Sequence, residues 1–317
     1  MLKNPKVSII ILNWNGLEDT IECLESLKRI TYPNYEVIVV DNGSKGNDAQ
    51  VLQERFGDYI HLIKNDKNYG FAEGNNIGMR YALENSRPDY TLLLNNDTVV
   101  DPEFLTEMVK VAETNTAIGI VGAKIYYYDN PNQLQSLWGK IDLRKGQVTE
   151  IPKVVAEKFK SVELDKGQYN QIKEVDSIKG CCFLIKKRAL ENIGLLDKSY
   201  FSFWEETDYC LRATKKNYKT VYVPNAKVWH KGAQSEKKVP GLSRYYMTRN
   251  RFRFMKKHAT KWQYRCFQIY FFGFYFWLAT GYYLIVCHNL NSLTSFCRGV
   301  RDGLFNSENG AKFYMKD

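Results

Sequence analysis

Acidic and amide side chains cluster at four places in the chain, each where a strand-like run ends or a helix-like run begins. The clusters are residues 41–44, 68–76, 95–97 and 204–212. A carboxylate at a strand end can accept hydrogen bonds from a nucleobase or a ribose, and the free N–H groups of a helix start favour anions. One aspartate can hold a divalent cation whose other ligands are the oxygens of a diphosphate. These are the residue types that a nucleotide site needs.

Each cluster also has a plainer interpretation. Residues 41–44 would form an ordinary Asx turn, 68–76 a glycine-rich loop, and 95–97 a turn that caps the next helix. In the fourth cluster Glu205, Glu206 and Asp208 repel one another, so one of them could have a raised pKa suited to a general base. They also suit an acidic helix start with an Asp208–Arg212 pair, which is favoured for this cluster taken alone.

The elements that must position these clusters alternate between strand and helix. Nearly continuous apolar runs predict buried strands at residues 7–13, 35–40, 60–63, 90–94, 178–185 and 220–223, the last stopped by Pro224. Helices are predicted at 17–29, 72–84 and 205–216, and another from Asp101, with Pro102 in its first turn. The alternation predicts an α/β fold with an open, mainly parallel sheet and helices on both faces. Side chains that follow the strand ends then line a ligand crevice.

The remaining segments have weaker patterns. Residues 128–175 are polar and are predicted to form loops with a small hairpin that covers the site. The N-terminus enters a strand-like run directly and lacks the features of a signal peptide. The seven cysteines are scattered without C-x-x-C spacing, which favours reduced thiols in a cytoplasmic protein.

The net positive charge comes from the C-terminal part of the chain. The whole chain has 45 Lys and Arg residues and 35 Asp and Glu residues. Ten of the Lys and Arg residues lie between Arg244 and Arg301, a stretch that contains no Asp or Glu. Seven of them are Arg249, Arg251, Arg253, Lys256, Lys257, Lys261 and Arg265. They flank an uncharged, aromatic stretch, which favours an anionic membrane surface over a nucleic acid as the partner.

Three interpretations of residues 266–287 remain open. The stretch is long enough to cross a bilayer. Its many Tyr residues, with Gln268, Gly273, Thr280 and Gly281, lower its hydrophobicity. Attachment to the membrane interface is therefore favoured, ahead of packing on the domain or a homodimer contact, and ahead of a true span.

Taken together, the motifs resemble family 2 glycosyltransferases of the GT-A fold, the Rossmann-like fold of nucleotide-diphospho-sugar transferases, and especially the rhamnosyltransferase-like branch. The matching segments are VSIIILNWNG, VIVVDNGS, NYGFAEGNN, LLLNNDTVV, IKGCCFLIKK, FWEETDYCLR and VWHKGAQS, with Tyr245-Tyr246-x-x-Arg249-Asn250. The resemblance is close from residue 5 to about residue 255. It implies a GT-A domain at 1–243, with halves 1–127 and 128–243, and a helical, aromatic extension at 244–317.

The resemblance also implies a role for each candidate residue. The nucleotide-binding residues would be Asn13, Asn15, Asp41, Asn68, Asn75 and Asn96, with Asp41 at the nucleobase and Asn96 by the ribose. Asp97 would hold Mg²⁺ or Mn²⁺, and His230 would reach the metal or the diphosphate. Asn95 replaces the first carboxylate of the family's D-x-D motif. Glu206 matches the general base, with Asp208 or Glu205 as alternatives, and Gly180, Trp204 and Glu205 would adjoin the donor or acceptor sugar.

The implied reaction is a single displacement that inverts the anomeric carbon of a dTDP-, UDP- or GDP-sugar. The acceptor would be a hydroxyl of a saccharide or a lipid-linked saccharide, in cell-surface polysaccharide or glycolipid assembly at the inner face of the cell membrane. A nucleotidyltransferase would need a glycine- and lysine-rich loop where Asn13-Trp14-Asn15-Gly16 stands. A basic adaptor protein is supported by the C-terminal charge alone.

Overall fold

The computed structural model of the chain describes residues 4–152, 163–232, 239–307 and 310–311. The chain divides into two compact units. The first unit consists of Met1–Lys140, Glu150–Lys198 and Glu206–Gly232. The second unit consists of Ile141–Thr149, Ser199–Glu205 and Ala233–Asp317.

Twelve strands are present in the described residues. They are β1 Val7–Asn13, β2 Tyr35–Asp41, β3 Ile60–Lys64, β4 Tyr90–Asn95, β5 Thr98–Val100, β6 Ile118–Tyr127, β7 Leu134–Ser136, β8 Trp138–Asp142, β9 Gln147–Ile151, β10 Lys173–Val175, β11 Cys182–Lys186 and β12 Lys219–His230. The main sheet has the order β10-β12-β6-β11-β4-β1-β2-β3, with β5 beside β12 and β7 beside β6. The pairs among β1, β2, β3 and β4 are parallel, as is β6 with β12, whereas β11 is antiparallel to β4 and β6. The predicted open, mainly parallel sheet is confirmed.

Helices cover both faces of this sheet. They are α1 Leu17–Leu27, α2 Asp48–Phe56, α3 Gly70–Asn85, α4 Phe104–Glu113, α5 Lys187–Ile193 and α6 Glu205–Lys215. One apolar core joins Ile9 and Ile11 to side chains of α1, α2 and α4, and a second joins Ile10 to side chains of α3, α5 and α6. Alternate residues of β1 thus enter opposite cores, which explains its continuous apolar run.

Helix α3 lies close to β1 because two of its residues lack side chains. A Cβ atom at Gly74 would lie 2.5 Å from Leu12 Cδ1, and one at Gly78 would lie 2.5 Å from Ile10 Cγ2. Any larger residue at these positions would therefore push the helix off the sheet.

Three predicted boundaries are wrong. Pro224 does not end its strand, because β12 continues to His230. The register with β6 shifts between Val223 and Lys227, and such an irregularity accommodates a residue that has no N–H group. The strand predicted from residue 178 begins at Cys182, and the helix predicted from Asp101 begins at Phe104. Asp101 Oδ1 instead accepts a hydrogen bond from Glu103 N, in the turn before the helix. The predicted hairpin in the middle of the chain is present as β8–β9.

The second unit contains the predicted helical, aromatic C-terminal region. Its helices are α7 Leu242–His258, α8 Lys261–Val286 and α9 Leu290–Phe305. In the described residues α8 is long and apolar enough to cross a membrane by length and composition, and 11% of its most apolar 18-residue stretch is buried. Its inner side packs on the other two helices through Phe271, which contacts Phe252 of α7 and Phe296 of α9.

Candidate active site

The carboxyl ends of β1, β2 and β4 meet at one edge of the sheet. Asn13 pairs in register with Asp41, and Leu12 pairs with Asn95. Because all three strands are parallel, the polar residues that end or follow them converge there. The sequence clusters at 41–44 and 95–97 are thus neighbours in the first unit.

Asn13 is the centre of a buried hydrogen-bond network. Its Nδ2 donates to Asp41 Oδ1 at 2.8 Å and to Asp48 Oδ2 at 3.0 Å. Its Oδ1 accepts from Thr20 Oγ1 at 2.9 Å, and Asn13 is completely buried. The side chain is thus committed to framing Asp41. Asn15 lies at the same edge with φ of 51°, and its Oδ1 accepts from Lys45 N at 2.7 Å.

The other predicted nucleotide-binding amides also bond within the protein. Asn96 Nδ2 donates to Thr20 Oγ1 at 2.9 Å, which ties the turn after β4 to α1. Asn68 Oδ1 accepts from Asn42 Nδ2 at 2.9 Å. Asn75, on α3, donates from Nδ2 to Phe71 O at 2.8 Å. Asn13, Asn15, Asp41 and Asn96 share one hydrogen-bonded cluster, Asn68 joins it through Asn42, and the Asn75 amide donates within α3.

Asp97 and His230 meet because β5 pairs with β12. His230 is opposite Thr98 in this ladder, and its Nε2 lies 3.2 Å from Asp97 Oδ1. Burial raises the pKa of Asp97, but the charge and hydrogen bond of His230 outweigh it and leave the pKa below its ordinary value. Asn95 Nδ2 lies 3.4 Å from the same His230 nitrogen. The buried Asn95 Oδ1 has no hydrogen-bond partner in the described part of the chain.

These residues fit a divalent cation whose remaining ligands come from a substrate. The Asp97 carboxylate, the His230 imidazole and the Asn95 side-chain amide are neighbours, and Mg²⁺ and Mn²⁺ accept carboxylate, imidazole and amide oxygen ligands. Within the described residues no group of three His, Cys, Asp or Glu side chains converges as a metal cluster. Diphosphate oxygens would therefore have to complete the coordination.

Glu206, in the first turn of α6, has a carboxylate group with a buried oxygen atom. Its Oε2 is buried without a hydrogen-bond partner among the described residues. Burial raises the pKa of Glu206, Lys179 lowers it, and the sum is a raised pKa. Lys179 is hydrogen-bonded to Glu150, and a Cβ atom on Gly180 would lie 3.6 Å from Glu206 Cβ.

The two alternative carboxylates have different surroundings. Asp208 is completely buried and accepts from Arg212 Nε at 2.8 Å. The same guanidinium also donates to Ile193 O and Leu195 O, so the pair fastens α6 to the segment after α5. Glu205 is buried and belongs, with Trp204, to the second unit.

Sequence reasoning missed several residues of this region. Asn42 bonds Asn65, Asn68 and the backbone around Tyr69, and Lys179 pairs with Glu150. Both lie in segments that carried the resemblance, next to residues that were singled out. Lys231 pairs with Asp19 and Glu22 on α1, both at 2.6 Å, and no local pattern connects residues so far apart in sequence.

Known proteins resemble this chain in fold and sequence. The Mannosyltransferase PcManGT from Pyrobaculum calidifontis, solved with GDP-Man and Mn²⁺, superimposes with a TM-score of 0.59 at 13% identity, over 97% of this chain and 89% of that one. The GT-A fold is thereby confirmed. The dTDP-rhamnosyl transferase RfbF of Shigella flexneri is 24% identical over 272 residues, 80% of this chain and 81% of RfbF.

A third relative is the low-salt glycan biosynthesis hexosyltransferase Agl10 of Haloferax volcanii. It is 29% identical over 215 residues, 67% of this chain, and the match spans only 62% of Agl10. The family model described as Glycosyl transferase family 2 matches residues 8–194, which is more than half of the chain. The chain belongs to glycosyl transferase family 2.

Proposed function

We propose that the protein transfers a sugar from a nucleoside-diphosphate sugar to an acceptor hydroxyl with inversion at the anomeric carbon. One observation carries the proposal: the metal-binding set and the base adjoin the same short segment, residues 179–181. Asn95 N donates to Cys181 O at 3.0 Å, and Gly180 lies against Glu206. The two sets of groups thus contact neighbouring residues of this segment, which would bring the leaving diphosphate and the attacking hydroxyl to the same place.

In the proposed reaction each group has one task. Asp41, fixed by Asn13, accepts hydrogen bonds from the nucleobase, with Asn68, Asn75 and Asn96 around the nucleotide. Asp97, with His230 and the Asn95 Oδ1 atom, would hold Mg²⁺ or Mn²⁺, which neutralises charge on the leaving diphosphate when bound. The acceptor oxygen bonds to the anomeric carbon as the bond to the diphosphate oxygen breaks. Glu206 takes the acceptor proton.

The raised pKa of Glu206 supports its assignment as the base, because a carboxylate of higher pKa accepts a proton more readily near neutral pH. Asp208 is the weaker alternative, since its lone pairs already serve Arg212. Trp204 and Glu205 are proposed to adjoin the donor or acceptor sugar.

The test is nucleoside-diphosphate release with a panel of dTDP-, UDP- and GDP-sugars, Mn²⁺ and a lipid extract as acceptor. A donor that raises the unfolding temperature identifies the nucleotide. Proton NMR of the first product should show the anomeric configuration opposite to that of the donor. Retention would overturn the single displacement, and no release with any donor would favour an adaptor protein.

The second unit supplies the proposed contact with an anionic membrane at its cytoplasmic face. Helix α8 exposes many large apolar residues: Trp262, Ile269, Phe272, Phe274, Trp277, Leu278, Leu284, Ile285 and Val286. Seven Lys and Arg residues between 249 and 265 were predicted to contact the membrane. Of these, Arg249 and Arg251 are buried. Lys256 Nζ donates to the carbonyl groups of Gly303 and Leu304 at the end of α9. Lys257, Lys261 and Arg265 remain exposed.

An interfacial position suits α8 better than a span. The Arg251 guanidinium lies 4.3 Å from the ring centroid of Tyr275, in the middle of α8. A spanning α8 would hold this charge, and the polar helix that carries it, inside the hydrocarbon, where a charged side chain is costly. At the membrane surface, the exposed aromatic residues of α8 would enter the headgroup region while α7 stays in water. An acceptor carried on a lipid would be met there.

Sedimentation with vesicles tests the membrane contact. The full chain should pellet with vesicles that contain anionic lipid and be partly released by high salt. The double variant Trp277→Ser/Leu278→Ser should bind less. The control variant Glu54→Ser, at a solvent-exposed position of the first unit, should bind as the wild type does. Absence of binding at low salt would favour a homodimer contact or another packing role for α8, which sedimentation equilibrium would detect.

A further inference from the structure

The segment Ser199–Glu205, which leads into α6, has an unusual backbone. Phe201, Phe203 and Trp204 have φ of 65°, 67° and 76°, in the left-handed region that bulky residues rarely adopt. Such conformations persist only where the surroundings hold them, and they concentrate at functional sites. Glycine, which has no Cβ atom, adopts this region at the least cost.

Two adjacent residues of α7 hold this segment through its carbonyl groups. Asn250 Nδ2 donates to Tyr200 O at 2.9 Å, Ser202 O at 2.7 Å and Phe203 O at 2.8 Å. Arg249 Nη2 donates to Ser199 O at 3.0 Å and Tyr200 O at 2.7 Å, and its Nε donates to Asn250 Oδ1 at 2.9 Å. Both side chains are almost completely buried.

Aromatic contacts fix the side chains of the same segment. The ring of Phe201 stacks on Tyr246, with centroids 4.9 Å apart and planes 13° apart. Trp204 packs on Phe254 and donates from Nε1 to Met247 O at 3.1 Å. The Tyr245-Tyr246-x-x-Arg249-Asn250 motif, which the proposed reaction does not use, is therefore directed at the segment that carries Trp204 and Glu205.

We propose that Arg249 and Asn250 are positioning residues for turnover. They hold the strained segment in the shape that sets Trp204 and Glu205 at the start of α6, one peptide bond before Glu206. The inference rests on the proposed function, because it assigns these side chains to sugar handling and base catalysis. Loss of the two residues should lower kcat and leave the donor KM almost unchanged, since the proposed nucleotide residues belong to another part of the chain.

The test compares Asn250→Asp with Thr248→Val, a matched control on the same helix. Asn250→Asp keeps the shape but replaces the donor that serves three carbonyls with an acceptor. Thr248→Val also keeps the side-chain shape and removes a hydrogen bond within α7, from Thr248 Oγ1 to Arg244 O at 2.8 Å. With the donor that the wild type turns over, Asn250→Asp should lower kcat at least about tenfold, with the donor KM within about twofold.

Thr248→Val should keep kcat within about twofold even if its unfolding temperature falls as far as that of Asn250→Asp. Arg249→Lys, which keeps the charge, should lower kcat in the same direction if Asn250→Asp does not fold. The proposal would be overturned if Asn250→Asp, or Arg249→Lys in its place, had the same kcat as Thr248→Val. An active Glu206→Gln variant would instead refute the assigned base, whatever these variants do.

Discussion

The substitutions Glu206→Gln and Asp208→Asn should separate the two carboxylates of α6 by their effects on both stability and turnover. Both changes preserve side-chain shape and remove one negative charge. The structure assigns the two groups opposite surroundings, since Asp208 is paired with Arg212 whereas Glu206 Oε2 is buried without a hydrogen bond in the described residues. Stability should therefore respond in opposite ways.

Asp208→Asn leaves the Arg212 guanidinium, which is 20% exposed, without its charge partner. Removing one partner of a buried pair costs about 3–5 kcal/mol, and the partial exposure of Arg212 puts this case near 3 kcal/mol. For a unit of this size, that loss lowers the unfolding temperature by about 6–12 °C.

Glu206→Gln should not destabilise the protein near neutral pH. The folded-state pKa of Glu206 lies above its ordinary value of 4.5, so its ionised form is disfavoured in the folded protein at any pH above both values. A neutral glutamine removes this cost. The unfolding temperature near neutral pH should therefore stay constant or rise. Turnover should fall by about 10²–10⁴ because the proton acceptor is lost.

The assay is differential scanning fluorimetry of both variants, beside nucleoside-diphosphate release at saturating donor. Donor affinity, followed by the ligand-induced rise in unfolding temperature, should match the wild type in Glu206→Gln. The reasoning is refuted if Asp208→Asn is as stable as the wild type but inactive while Glu206→Gln turns over normally. That result would move the base to Asp208.

Three further predictions concern pH, metal and packing. The acid limb of the kcat–pH profile should lie above pH 4.5, and Lys179→Met should move it to higher pH, because Lys179 lowers the pKa of Glu206; an unmoved limb would contradict this coupling. Asp97→Asn should lower Mn²⁺-dependent turnover by about two orders of magnitude or more, since a bound metal supplies several kcal/mol, with an unchanged circular dichroism spectrum. Gly78→Val should destabilise the first unit by about 1–3 kcal/mol in urea unfolding, because its Cβ would meet Ile10 at 2.5 Å, and an unchanged midpoint would contradict the close packing of α3.

The strands of the sheet were predictable because a parallel strand buried on both faces must be apolar at nearly every position. The ends of β1, β2 and β4 were predictable for the same reason, and with them the convergence of Asp41 and Asn95. Pro224 was misjudged because the local rule stops a strand at proline, whereas the shift in register against β6 depends on a partner about 100 residues away.

The pairing of Lys179 with Glu150 had no sequence signal, since Glu150 is on β9 and Lys179 lies 29 positions later, in the segment before β11. The burial of Arg249 and Arg251 was hidden for a related reason. Runs of basic residues are usually solvated. Only the tertiary structure shows that Arg249 bonds to the carbonyl group of Tyr200 and that Arg251 lies over the ring of Tyr275. The count of basic residues in the sequence was therefore larger than the number of Lys and Arg side chains that are exposed for contact with a membrane.

The hydrogen-bonding capacity of the amide group explains why asparagine is so frequent at the proposed nucleotide site. Asn13 must donate to Asp41 and Asp48 and also accept from Thr20 and Gly16, and only an amide side chain offers both capacities at this length. An aspartate there would face two buried carboxylates, and a serine would not reach both. The amides thus build the frame, while the carboxylates of Asp41, Asp97 and Glu206 are the groups that we propose bind the nucleobase, hold the cation and accept the proton.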